Sequence, residues 1–103
     1  QPHRWVRTAR QWPELAAAAA AADEVLVLDI YGAGEKPIAN VSSALIVERL
    51  REQGVEARGA DIGSATAYLA GSLAPNDLVI TLGAGDVWRV AAALADGRVD
   101  AEG

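Results

Sequence analysis

Two short aliphatic runs, Val25-Leu26-Val27-Leu28-Asp29-Ile30 and Leu78-Val79-Ile80-Thr81-Leu82, stand between stretches whose apolar residues recur at helical spacing. Continuous runs of this length predict parallel strands buried on both faces. Val55 to Ala60 predicts a weaker third strand. A helix is expected from Ala44 to Gln53, capped by Ser42 or Ser43 and stopped by Gly54. Ala44, Leu45, Val47 and Leu50 form its inner face. Another helix is expected over about Ala65 to Leu73, after the Asp61-Ile62-Gly63-Ser64 turn and before the Pro75-Asn76-Asp77 turn. The last expected helix runs from Val87 to Leu94, with a polar tail from Asp96 onward.

The amino-terminal part is less regular. Gln1 to Arg4 reads as the end of an extended segment, because Pro2 disfavours helix at the residue before it. Thr8 and Gln11 have the spacing of a capping box, but Pro13 removes one backbone bond and crowds the preceding turn. A regular helix is therefore expected to begin nearer Trp12 and to reach Ala22, where Asp23-Glu24 closes it. Its alanine run favours helix and leaves a smooth surface that can lie close to a sheet.

The resulting order of strand end, helix, strand, helix, strand, helix, strand, helix predicts an α/β fold. Its expected form is an open Rossmann-like parallel sheet with helices on both faces. Ligands of such sheets bind outside the carboxyl ends of the strands. Three features fall on that edge: His3-Arg4 with Arg7, the loop from Tyr31 to Lys36, and the turn Gly83-Ala84-Gly85-Asp86.

Composition narrows the classes. At 103 residues the chain makes one domain, and much of its 51% hydrophobic content is alanine, with no Phe and no Met. A net charge of −5 argues against general nucleic-acid binding. Without cysteine there is no disulfide framework or thiolate metal site, and a single histidine argues against structural zinc. No apolar run spans a bilayer and no signal peptide is visible, so a cytoplasmic protein without membrane association is expected. The absence of methionine implies that Gln1 is not an encoded start, so a fragment or processed piece is expected. Charge is uneven: the first eleven residues carry +3 with His3 neutral, and the remainder carries −8.

This basic tip is the main candidate for chemistry. Arginine offers a planar fork for carboxylate or phosphate, and histidine a donor or acceptor that titrates near neutrality. A solvated strand end is the plain structural alternative. Gly83 to Asp86 begins like a dinucleotide fingerprint, but Trp88 stands where its third glycine belongs, so a tight turn with Asp86 as helix cap fits better. Asp29 lacks the later-strand lysine and acidic pair of a phospho-receiver site. There is no Gly-Lys-Ser/Thr phosphate loop and no recognisable Ser/His/Asp arrangement. Trp5, Trp12 and Trp88 read as packing residues rather than a base-stacking platform.

Several motifs occur in one order: Gln1-Pro2-His3-Arg4, Arg7-Thr8, Asp29 through Ile38, Val41-Ser42-Ser43, and Thr81 through Asp86. Over nearly the whole chain they resemble the carboxyl-terminal domain of the Mur ligase family of bacterial peptidoglycan enzymes, in the branch that joins L-alanine to UDP-N-acetylmuramate. Trp5 stands where that family usually has tyrosine, and Trp88 replaces a smaller residue. The family's first strand in this domain, with an Asp-Asp-Tyr-Gly-His-His motif, and the helix after it are expected upstream of Gln1.

The resemblance implies a three-domain ligase for cell-wall growth. Its upstream domains hold the UDP-sugar and, in the central domain, ATP and Mg²⁺. The sugar's carboxylate becomes an acyl phosphate, which the amine of L-alanine attacks. Residues 1–103 would be the amino-terminally truncated, amino-acid-binding carboxyl-terminal domain, which closes the active site and is inactive alone. His3, Arg4 and Arg7 are the expected substrate-binding residues, with Arg4 or Arg7 on the alanine carboxylate. Tyr31, Gly34, Glu35, Gly83, Gly85 and Asp86 are expected cleft or nucleotide-side contacts, and no catalytic residue or metal ligand is assigned. Two alternatives are a non-catalytic regulatory or anion-binding α/β module and a dimerisation unit with an open sheet edge.

Overall fold

The computed structural model describes residues 1–96 with their side chains. Beyond Asp96 it describes only the backbone, which continues helical to Glu102 where a polar tail is expected after Leu94. The elements are α1 (Trp5–Ala19), β1 (Glu24–Leu28), α2 (Ala44–Glu52), β2 (Glu56–Ala60), α3 (Ile62–Ser72) and α4 (Trp88–Glu102). β1 and β2 pair in parallel, with Val27 opposite Gly59. An isolated parallel bridge between His3 and Tyr31 brings the extended amino-terminal segment alongside the continuation of β1.

Successive side chains of a strand point to opposite faces, and β1 uses both. Val27 packs with Ala16 of α1 and with Ile46, Val47 and Leu50 of α2. Its neighbour Leu28 packs on the other side, with Ala65 of α3 and with Val87 and Val90 at the start of α4. Two small cores back to back on one strand give helices on both faces, the α/β class that the alternation predicts. α2 follows its expected limits closely, and Gly54 stops it at a positive φ of 80°. No described helix is long and apolar enough to cross a membrane.

Three local expectations are corrected. First, α1 begins at Trp5 rather than near Trp12, and it carries Pro13 inside. The start comes from a distant group: Glu35 Oε1 accepts the backbone N–H of Trp5 at 2.7 Å and of Val6 at 3.4 Å. A carboxylate at a helix amino end satisfies donors the helix itself leaves open. Pro13 forfeits one backbone bond, but packing of Trp12 and Ala16 into the core holds the turns on either side. Thr8 does not cap; it is fully buried, and its hydroxyl donates to the Arg4 carbonyl at 2.7 Å.

Second, α3 begins at Ile62. Asp61 and Ser64 form a reciprocal capping box, with the Ser64 N–H donating to Asp61 Oδ1 at 2.7 Å. Third, Leu78–Leu82 is not a buried strand. Its backbone forms no ladder with a described strand, and Leu78, Ile80 and Leu82 are 82%, 68% and 68% exposed. A strand exists only where a neighbour takes its N–H and C=O groups, and β1 and β2 are the whole ladder among the described residues.

Candidate functional site

The rim beyond the carboxyl end of β1 is built on Tyr31. Its N–H donates to the Pro2 carbonyl at 2.9 Å, and its carbonyl accepts the Arg4 N–H at 2.7 Å. Pro2 lacks a backbone donor, so this bridge is short. The imidazole of His3 stacks on the Tyr31 ring, and His3 Nδ1 is buried without a protein partner.

The glycine turn at 83–86 closes on the same place. Gln1 Nε2 donates to Asp86 Oδ1 at 3.0 Å, and Gln1 Oε1 accepts the Val87 N–H at 3.2 Å. The Gln1 backbone nitrogen donates to the Leu82 carbonyl at 2.8 Å. A Cβ on Gly85 would stand 2.6 Å from Cγ of Tyr31, so only glycine fits there. Gln1, His3, Tyr31, Gly83, Gly85 and Asp86 thus share one rim.

Arg4 and Arg7 sit one turn apart at the head of α1, both exposed, and neither makes an ion pair with a described residue. Glu35 and Gly34 differ from their expected place as cleft contacts. Glu35 is engaged with the amino end of α1, while Gly34 takes a positive φ of 88° in open space and shapes the loop.

A cavity of about 460 Å³ lies beside this rim. Gln1, Tyr31 and Gly63 contribute to its wall, together with three carboxylates, Asp29, Asp61 and Asp86. His3, Arg4 and Arg7 are not in that wall, so the charged side chains that line the cleft are carboxylates. The Ser64 N–H bond holds the Asp61 carboxyl below its ordinary value of 3.8. Asp86 already accepts from Gln1. Among the described residues no three His, Cys, Asp or Glu side chains cluster to hold a metal, and no lysine-bearing phosphate loop occurs in the sequence. No Mg²⁺ or phosphate site is assigned to the cleft on these residues.

Two contributors escaped sequence reasoning. Asp61 carried a legible signal, an Asp-x-x-Ser spacing ahead of a helical run. Gln1 carried none, because its partners lie 81 to 86 residues away.

No family model matches the chain. It is 43% identical over 99 residues to a UDP-N-acetylmuramate–L-alanine ligase of Deinococcus radiodurans, covering 94% of this chain and 20% of that protein. It is 49% identical over 88 residues to the ligase of the same name from Mycobacterium sp. strain JLS, covering 84% and 18%. The corresponding protein of Dictyoglomus turgidum is 44% identical over 105 residues, covering 98% and 23%. The chain spans about a fifth of the length of these relatives.

Proposed function

This chain belongs by sequence to the Mur ligase family, and from that premise we propose that it serves as the amino-acid-binding, carboxyl-terminal domain of a UDP-N-acetylmuramate–L-alanine ligase. The carrying observation is the 43% identity over 94% of the chain to a protein of that name. In this reading the longer enzyme phosphorylates the carboxylate of UDP-N-acetylmuramate with ATP. The amine of L-alanine then attacks the acyl phosphate and phosphate leaves. ATP and Mg²⁺ are held mainly by another part of the enzyme, since the sequence here has no Gly-Lys-Ser/Thr phosphate loop. The enzyme acts in the cytoplasm, where the cell-wall precursor is made.

Within residues 1–103, Arg4 and Arg7 hold the alanine carboxylate. His3, stacked on Tyr31, sits next to Arg4 and helps orient the bound amino acid. An exposed guanidinium pair with no other described anionic partner suits a small carboxylate. Tyr31 and the 83–86 turn support the rim, and closure over the other domains completes the site. The test is alanine saturation in the full-length protein. Arg4→Ala and Arg7→Ala are each expected to raise the alanine KM by about tenfold to a hundredfold, the worth of a charge-assisted contact. Normal saturation in both variants overturns the assignment.

A further inference from the structure

Arg4 has a backbone that suits almost any residue less well than glycine: φ 67°, ψ 143°. A side chain with a Cβ is strained there. Arginine is also a poor residue for this position in another sense, because Arg4 is the N-cap of α1 and makes no side-chain cap bond. Local preference would put glycine, asparagine or serine at such a place.

The strained conformation is held from every side. The Arg4 N–H donates to Tyr31, and the Arg4 carbonyl accepts both the N–H of Thr8 at 3.1 Å and its hydroxyl at 2.7 Å. Glu35 fixes the next two residues through the Trp5 and Val6 N–H groups. Gly32 lies so close to Trp5 that a Cβ there would stand 3.0 Å from the indole nitrogen. The loop from Tyr31 to Glu35 therefore works as a latch on residues 3–6, and Thr8 locks it from inside.

We infer that Glu35 and Thr8 are positioning residues whose task is to keep Arg4 in this strained backbone, so that its guanidinium stands beside that of Arg7 at the rim. This rests on the proposed role of Arg4 in holding the amino-acid carboxylate. The strain is retained because relieving it would re-aim the arginine. Glu35 acts on the amino acid only through Arg4, and its carboxylate occupies the helix end that would otherwise attract an anion.

The experiment uses the full-length protein, with steady-state kinetics for each substrate and thermal unfolding of each variant. Glu35→Ala should raise the alanine KM several-fold, while kcat and the KM for ATP and for the UDP-sugar hold within about twofold. Glu35→Gln keeps an oxygen acceptor and should restore alanine saturation. Thr8→Val should repeat the alanine defect, and Thr8→Ser should not. Arg4→Gly is the second handle, because it relieves the strain: it should unfold at a higher temperature than the parent yet lose alanine affinity. An unchanged alanine KM in Glu35→Ala, alongside a raised one in Arg4→Ala, overturns the inference and leaves the carboxylate reading intact. An Arg4→Gly protein no more stable than the parent overturns it too. Normal saturation in Arg4→Ala removes Arg4 from the site and this inference with it, and normal saturation in Arg7→Ala as well overturns the carboxylate assignment itself.

Discussion

The ring of His3 lies 5.6 Å from that of Tyr31 and within 11° of parallel, joining residues 28 positions apart by stacking as well as by a backbone bridge. Gly85 also stands against the Tyr31 ring, and its missing Cβ leaves the room. Three segments far apart in sequence therefore meet at one aromatic ring.

Gly85→Ala should break that meeting. Its Cβ would fall 2.6 Å from Tyr31 and 2.7 Å from Gln1 Oε1, inside van der Waals contact. Relief needs the ring or the turn to move, and overpacking of this kind costs about 1–3 kcal/mol. Urea unfolding of parent and variant measures it, and equal stability would show that the turn does not abut the ring.

The core should answer unevenly to truncation. Leu50 is fully buried between α2 and the sheet, so Leu50→Ala is expected to cost about 2–5 kcal/mol. Ile80 is 68% exposed, so Ile80→Ala in the same chain should cost under about 1 kcal/mol. Denaturant midpoints of the two variants give the comparison. A larger loss for Ile80→Ala would mean that Leu78–Leu82 is buried after all.

Acid should loosen α3 through its cap. The Asp61 carboxyl is held below 3.8 by the Ser64 N–H, so the folded state prefers the ionised form more than the unfolded state does. Its stabilisation is fully present above 3.8 and is lost as pH falls through the lower folded value. The protection of the Ser64 and Ala65 amides, taken against the intrinsic exchange rate at each pH, should fall in that acid window and not above it. Asp61→Asn keeps an acceptor oxygen and should flatten this dependence.

The rim arginines should separate from the cleft carboxylates. Arg7→Ala is expected to weaken use of alanine in the full-length protein by about tenfold or more, through the lost charge-assisted contact. Asp29 lines the acidic cleft, whose wall includes neither Arg4 nor Arg7, so Asp29→Asn should leave the alanine KM within about twofold. A large alanine defect from Asp29→Asn would move the amino acid into the cleft.

Much of the fold was legible because its signals are local. The aliphatic run at 25–28 predicts β1, and the helical spacing from Ala44 with Gly54 as its stop predicts α2. The crowding of candidate residues on one edge also follows from alternating elements, since successive right-handed crossovers set all the strand ends on one side. The family resemblance was carried by short motifs in order, and it agrees with the ligases matched across most of the chain.

What the sequence determined by itself was the helices after the first, the strands β1 and β2, the two-sided burial of β1, and which residues stand at strand ends. All of these follow from side-chain spacing and backbone preference within a few residues. Only the tertiary structure decided where α1 begins, because its cap, Glu35, comes from a loop 30 residues away. Only it showed Arg4 in a conformation that no local preference favours, and Leu78–Leu82 exposed and outside the described ladder. Hydrogen bonds between distant segments carry no sequence period, so the chain must be folded before such partners are visible.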